Sequence, residues 1–197
     1  MKKLLLVIWL VLPVAGAAYH YGPGQEQLEL EEVDDLLAKA DRHAAAEEWF
    51  DAEEAYDAAL EKLPEDQIAL NRRIRLERAK AQMLNSKLPV ARQELESLVD
   101  ELEEDADAEA EPRGEAREAL ASSQYYMTWL MRLEGLPREK WEPEIEAARQ
   151  NYRLLAEEAG TTGLLAMAER QTENLEASIR LARMDLGELQ GLPLPGQ

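Results

Sequence analysis

The amino-acid sequence predicts an all-α protein, a short right-handed helical solenoid of about three irregular helix-turn-helix hairpins with a C-terminal capping helix. The first observation behind this prediction is composition. The 197 residues include ten Gly, nine Pro and one Phe, and the abundant Ala, Glu, Leu and Arg favour helices over strands. The second is that apolar side chains recur at helical spacing, three and four residues apart, from Glu26 onward. The third is a pattern of large and small side chains that three segments share.

The N-terminus has the order of features of a secretory signal. Two lysines precede an apolar run, Leu4–Leu12, and small residues with cleavage-site spacing follow it. We expect cleavage after Ala17 or Ala18, so that residues 1–18 are a signal peptide. The alternative is a retained membrane anchor, although the apolar stretch is shorter than the roughly 20 residues of a spanning helix. The prediction is therefore a periplasmic protein, or one anchored in the inner membrane and facing the periplasm.

Prolines, glycines and capping residues give the boundaries of the predicted helices. Pro64 ends the second helix and Pro89 begins the fourth. The acid- and alanine-rich segment Glu103–Glu115 is predicted to be a flexible connection, and residues 190–197 an extended tail. The helical domain, residues 26–189, is predicted to contain helices at about 26–47, 49–64, 66–84, 90–102, 115–133, 143–159 and 164–189.

Three of these helices carry a large, a small, a large and another apolar residue at the same offsets. A small residue lets two helices approach closely while the large ones fill the space between them. The pattern therefore predicts helical hairpins that stack on their neighbours. Its members are Trp49, Ala52, Tyr56 and Ala59; Leu88, Ala91, Leu95 and Leu98; and Ile145, Ala148, Tyr152 and Leu155.

The segment Val33–Asp66 resembles the tetratricopeptide repeat (TPR), a 34-residue helix-turn-helix unit. Its matching residues are Leu36, Ala40, Trp49, Ala52, Tyr56, Ala59, Leu60 and Pro64. Glu47 departs from the family pattern, because a glycine is usual in that turn. The resemblance implies repeats at about 33–66, 72–105 and 114–160 with residues 164–189 as the capping helix.

A second resemblance concerns the C-terminal part of the chain. The segments "ARQNYRLL" and "ENLEASIRL" are similar in spacing to the end of MxaK-like proteins, small exported repeat proteins associated with MoxR-type ATPases and von Willebrand factor A domain proteins. The similarity rests on Tyr152, Arg153, Asn174, Leu175 and Glu176. It implies an alternative function, a membrane-anchored structural or accessory subunit of an envelope complex.

In TPR proteins the first helix of each pair lines the concave surface, and the resemblance implies the same surface here. The candidate partner-binding residues are Leu37, Asp41, Arg73, Leu76, Lys80, Met83, Tyr125 and Tyr126. The basic run Asn71–Lys80 is suited to receive an acidic or carboxylate group. The alternative is that its arginines pair with acids on neighbouring helices.

Charge and composition limit the function classes. The 41 acidic and 22 basic residues give a formal charge of −19, which argues against nucleic-acid binding. The chain has no Cys, so disulfides and thiolate metal sites cannot form. It has two His, which leaves few candidate residues for a histidine-based catalytic site. We expect no catalytic residue, metal, cofactor or small-molecule substrate, and contact with the membrane only through an uncleaved N-terminal segment. The prediction is a non-enzymatic module that binds a partner protein or peptide in the envelope; a carboxylate-dependent hydrolase is a remote alternative.

Overall fold

The computed structural model describes residues 23–190, with side chains from residue 30 onward. The predicted cleavage site at Ala17 and Ala18 and residues 191–197 of the predicted tail lie outside the described part. Residues 23–190 form eight helices and no strand, which confirms the all-α prediction. The helices are α1 Pro23–Ala45, α2 Trp49–Lys62, α3 Ile68–Leu84, α4 Leu88–Glu104, α5 Ala110–Leu133, α6 Arg138–Thr161, α7 Leu165–Arg183 and α8 Leu186–Gln190. Among them, none has the combination of length and apolar character that crossing a membrane requires.

The chain divides into two compact units, Met1–Ile74 and Arg75–Gln197, with the boundary inside α3. In the first unit α1 packs against α2. Their buried residues include Val33 and Ala40 on α1 and Ala52, Tyr56 and Ala59 on α2. The turn between the two helices contains Glu47 in a left-handed conformation with φ of 60°. The TPR resemblance predicts a glycine at this position, and only glycine adopts this conformation without steric cost.

In the second unit the long helices pack against their neighbours along the chain, and the short α8 contacts α5. The C-terminal part of α3 shares a buried cluster with α4 and α5, and α5 packs on α6, which packs on α7. A second cluster joins Ala121 of α5 to Ala148, Tyr152 and Leu155 of α6. The third cluster contains Trp129, Ile145, Leu181 and Leu189. Packing between consecutive helices is the arrangement expected of helical hairpins.

The structure confirms that the shared sequence pattern marks buried positions. The small residues Ala52, Ala91 and Ala148 are all 0% exposed. The other members of the pattern are also buried, with the exception of the half-buried Trp49. The pattern is therefore a packing signal.

Helix α5 begins at Ala110, five residues before its predicted start at residue 115. The predicted flexible connection is thereby reduced to residues 105–109. Alanine and glutamate have high helix propensity, and an acidic residue such as Glu111 in the first turn stabilises the helix dipole. Pro112 lies in that first turn, where a missing N–H removes no helical hydrogen bond.

Helix α6 also begins earlier than predicted, at Arg138 instead of Pro143. Pro143 lies inside the helix, where its ring removes one backbone hydrogen bond. The helix nevertheless begins before it, because Pro137 has an extended backbone that suits the preceding position and Arg138 pairs with Glu142 one turn later. The earlier start adds Trp141 to the helix.

Helix α7 ends at Arg183, so the predicted capping helix is divided into α7 and α8. The division is caused by a capping box at the start of α8. The backbone N–H of Glu188 donates to the carboxylate of Asp185, and the backbone N–H of Asp185 donates to the carboxylate of Glu188, both at 2.8 Å. Because of this break, the side chain of Leu189 lies in the core of the second unit, where it is 1% exposed.

Tyr152 connects α6 to α5 through its hydroxyl, which lies 3.1 Å from the hydroxyl of Ser122. Burial raises the pKa of Tyr152 to about 12, while the hydrogen bond with Ser122 acts in the opposite direction. The folded protein therefore favours the neutral phenol. A phenol in the unfolded chain has a pKa of about 10. The contribution of the buried Tyr152 phenol to the free energy of unfolding is therefore fully present below pH 10 and is lost as the pH rises towards 12.

We expect this ionisation to lower the free energy of unfolding by about 2–3 kcal/mol between pH 10 and pH 12. The variant Tyr152→Phe should lack this part of the pH dependence. At neutral pH it should cost only about 0.5–1.5 kcal/mol, because one hydrogen bond is lost. Urea denaturation of both proteins at pH 9 and pH 11.5 measures the difference, in which the other alkaline titrations cancel. Equal pH dependence in the two proteins would show that burial of this phenol has no such effect.

Candidate partner-binding site

Three of the predicted partner-binding residues belong to the first unit. Leu37 is half-buried on α1 and Arg73 is exposed on α3. The exposed carboxylate of Asp41 accepts a hydrogen bond from the hydroxyl of Tyr56 at 2.9 Å. Because Tyr56 is buried in α2, this bond joins the two helices of the hairpin, and Asp41 has a structural contact.

The predicted residues on the second half of α3 face the interior of the second unit. Leu76 is 3% exposed and belongs to the cluster shared with α4 and α5, and Met83 packs against the same cluster. Leu76, Ala79 and Met83 are spaced three and four residues apart, so they lie on one face of the helix. Lys80 is partly exposed, and its Nζ lies 2.8 Å from Oε1 of Glu77. The structure therefore places Leu76 and Met83 in the packing of three helices and not on an open surface.

Tyr125 and Tyr126 are half-buried on α5, with their ring centroids 5.5 Å apart in an edge-to-face arrangement. Tyr125 packs against the cluster of Trp129, Ile145, Leu181 and Leu189. Burial, together with the neighbouring Tyr126, raises the pKa of Tyr125, although Arg180 lowers it. The pair keeps some surface open to solvent, while part of Tyr125 supports the core.

Arg75, in the basic run Asn71–Lys80, holds acids of a neighbouring helix. Its Nε lies 2.5 Å from Oε1 of Glu94 and its Nη1 2.7 Å from Oε2 of Glu101, both on α4. The hydrogen bond to Glu101 is the main cause of the raised pKa of Arg75, against burial, which lowers it. For Arg75 the structure thus favours pairing with neighbouring acids over receiving a partner's carboxylate.

Two further arginines connect helices of the second unit. Arg117 on α5 has a side chain that is 8% exposed, and it lies 2.9 Å from Glu103 of α4 and 2.9 Å from Glu158 of α6. Arg92 on α4 lies 3.0 Å from Glu144 on α6. Loss of its carboxylate partners would leave a largely buried guanidinium unpaired. These cations therefore stabilise the packing of helices and are not free to exchange partners.

A groove of about 370 Å³ is formed by residues of α6 and α7. Its apolar lining consists of Trp141, Ile145, Ile179 and Ala182. Its charged lining consists of Arg138, Glu142, Glu146, Arg149 and Arg183. Charged residues are five of the nine that line the groove, so it is more polar than the mainly apolar pockets that bind small molecules.

Trp141, the large aromatic residue of the groove, is held by two guanidiniums. Arg132 lies 4.8 Å and Arg138 5.9 Å from the centre of its ring. Arg132 also donates hydrogen bonds to the carbonyl oxygens of Leu181 and Met184, which satisfies acceptors at the C-terminal end of α7. Each cation–π contact contributes about 0.5–1 kcal/mol when exposed, so the two contacts together favour one orientation of this half-buried indole.

The arginines that line the groove have weaker partners than those that connect helices. Arg138 pairs with Glu142, and Arg149 pairs with Glu146 at 2.7 Å, in each case on the same helix. Such pairs contribute about 0.3–0.5 kcal/mol. Arg183 is exposed and makes no ion pair or hydrogen bond with the described residues. These guanidiniums can therefore be transferred to a partner's acceptors at small cost.

Arg149 has an additional feature, because its Nε is buried and lacks a hydrogen-bond partner among the described residues. A buried donor without a partner costs about 1–3 kcal/mol. Reorientation of Arg149 towards an incoming acceptor would remove that cost. Because the Nε atoms of Arg113 and Arg117, outside the groove, share this feature, it does not by itself indicate an acceptor in the groove.

His43, Glu48 and Asp51 lie together at the turn between α1 and α2, in the first unit. The Nδ1 of His43 lies 2.6 Å from Oε2 of Glu48, and the potential ligand atoms of the three residues are within 4.8 Å of one another. Imidazole and carboxylate groups are ligands of transition metals. The contact between His43 and Glu48 already explains why these side chains lie close together. We therefore interpret the cluster as part of the structure of the turn that contains Glu47.

None of the residues of the groove is among the partner-binding residues predicted from the sequence. A signal was present on α6, where Trp141, Ile145 and Arg149 are spaced four residues apart and share one face. The opposite wall, with Ile179 and Arg183, lies at least 30 residues further along the chain. The sequence pattern of either helix alone does not show that the two walls meet.

Comparisons of the chain with protein-family models, with curated proteins and with solved structures found no match. The resemblances to TPR proteins and to MxaK-like proteins therefore stay predictions from the sequence.

Proposed function

We propose that this chain is a non-enzymatic interaction module that holds a partner protein or peptide outside the cytoplasm. The observation that carries the proposal is the groove between α6 and α7. Its tryptophan is oriented by two guanidiniums, and the arginines along it have partners that are easily exchanged. Tryptophan and arginine are the residues that contribute most often to the binding energy of protein interfaces.

Tyr125, one of the two predicted aromatic residues on α5, supports this surface from the inside. Tyr125 and Trp141 both pack against the buried cluster that contains Trp129 and Ile145. Ile145 is itself part of the groove lining. We therefore shift the proposed binding surface from the first helices of the repeats to the α6–α7 groove, with Tyr125 in a supporting position.

Site-specific photo-cross-linking tests the proposal. A benzophenone amino acid placed at Glu142, on the groove, should give a discrete cross-linked partner in cells that produce the full-length chain. The same group at Lys140, an exposed residue on α6 that does not line the groove, is the matched control. A partner cross-linked equally from both positions, or from neither, would contradict binding in the groove.

The second candidate is a structural subunit of an envelope complex. It is favoured by exposed apolar side chains at the start of α7, where Leu164, Leu165 and Met167 are 54%, 75% and 41% exposed. Cross-linking from Leu165 instead of Glu142 would support this candidate. The intact mass of the protein isolated from the envelope then distinguishes a chain cleaved at Ala17 or Ala18 from an anchored one.

A further inference from the structure

We propose that the α6–α7 groove selects an acidic segment of its partner, one in which carboxylates flank an apolar side chain. This inference rests on the proposed function and adds the chemistry of the bound segment. It follows from a contrast of charge. The whole chain has a formal charge of −19, but three guanidiniums and two carboxylates line the groove.

The arginines of the second unit differ in whether their guanidiniums are available to a partner. Arg75, Arg92 and Arg117 each hold carboxylates of other helices, so they serve the packing of the unit. Arg138 and Arg149 hold only carboxylates of their own helix. Arg183 holds none among the described residues. The groove is therefore lined by guanidiniums that can turn to a carboxylate on a partner.

Both walls of the groove combine apolar contact area with a guanidinium. Trp141, Ile179 and Ala182 are half-buried and provide apolar contact area. Arg149 is on the α6 wall and Arg183 on the α7 wall. A segment that places an apolar side chain on Trp141 can present carboxylates to both walls, where charge-assisted hydrogen bonds to guanidinium are strong and directional.

The charge of the groove distinguishes basic, neutral and acidic segments. A basic segment is attracted by the overall negative charge of the chain, but the groove lining has three guanidiniums against two carboxylates and therefore a net positive charge. A neutral segment gains only the apolar contact. An acidic segment is repelled by the remote acidic surface and attracted by the groove. Physiological salt screens charges more than about 8–10 Å away, so the nearby guanidiniums of the groove determine the interaction of a bound segment. The groove thus favours acidic segments over both alternatives.

Fluorescence anisotropy with three labelled ten-residue peptides tests this inference on the full-length protein. One peptide alternates aspartate and leucine, the second has asparagine in place of each aspartate, and the third has lysine in its place. We expect saturable binding of the acidic peptide, at least about tenfold tighter than that of the other two, with weaker binding at higher salt. Tighter or equal binding of the neutral or basic peptide, or no saturable binding of the acidic one, would overturn the inference.

Two charge variants locate the effect. Arg183→Glu should weaken binding of the acidic peptide about tenfold or more, and Arg183→Gln should weaken it by a smaller factor in the same direction. Lys140→Glu makes the same change of net charge on an exposed residue outside the groove and should alter binding by less than about twofold, because the exposed charge is screened. Melting temperatures confirm that each variant is folded. An equal loss in Lys140→Glu would mean that net charge and not the groove controls binding.

The outcomes separate this inference from the proposed function. If a partner cross-links from Glu142 but the peptides show no preference for acidic residues, the interaction function stands and the acidic specificity is rejected. If no partner cross-links from the groove while the acidic peptide binds through Arg183, the groove recognises carboxylates and the function as a protein-binding module is rejected.

Discussion

Replacing Trp129 by alanine is expected to lower the free energy of unfolding by about 3–5 kcal/mol. Trp129 is 5% exposed and lies in the cluster that joins α5, α6, α7 and α8 through Ile145, Leu181 and Leu189. Removal of the indole withdraws apolar surface from the core and leaves a cavity that its neighbours fill only in part. Domains of this size are stable by about 5–15 kcal/mol, so the variant should be severely destabilised.

Trp141→Ala is the matched control for this prediction. Trp141 is half-buried and packs against the same cluster from outside it, so the expected loss of stability is smaller than that of Trp129→Ala. Urea denaturation followed by circular dichroism measures both. Equal losses would contradict the assignment of Trp129 to the core and of Trp141 to the groove.

Replacing Leu95 by alanine is expected to cost about 2–5 kcal/mol. Leu95 is 0% exposed and packs in the cluster that α3, α4 and α5 share in the second unit. It occupies the position of the sequence pattern at which Tyr56 and Tyr152 stand in the other segments. The cost arises because the cluster is bounded by three helices, which cannot collapse fully onto the space that the side chain leaves.

Val90→Ala is the control on the same helix. Val90 is 55% exposed, and alanine has the higher helix propensity, so its stability should change by less than about 0.5 kcal/mol. Thermal and urea denaturation of both variants give the comparison. A small effect at Leu95 would show that the shared pattern does not mark the positions that hold the helices together.

The burial pattern could be predicted from the sequence because it depends on local helical periodicity. The recurring alanines at Ala52, Ala91 and Ala148 are all fully buried, as the spacing of their large neighbours indicates. The sequence predicts later starts for α5 and α6 than the observed Ala110 and Arg138, because prolines such as Pro112 and Pro143 usually mark a helix boundary. A proline inside a helix is tolerated when neighbouring contacts compensate for its lost hydrogen bond.

The candidate site was less predictable, because it depends on contacts between distant residues. The sequence left two alternatives for the basic run, and only the packing of α3 on α4 shows that Arg75 is bound to Glu94 and Glu101. Similarly, the groove requires that Trp141 and Arg183 be brought to the same surface. Sequence spacing identifies the face of one helix, while tertiary packing decides which faces meet.

The central claim is that the α6–α7 groove holds the partner of this protein. The most direct measurement is the affinity of the partner cross-linked from Glu142, purified and titrated by calorimetry into the wild-type chain, Trp141→Ala and Lys140→Ala. We expect Trp141→Ala to bind at least about tenfold more weakly, as truncation of an interface tryptophan does, and Lys140→Ala to bind as the wild type does. Undiminished affinity in a folded Trp141→Ala variant would contradict the claim.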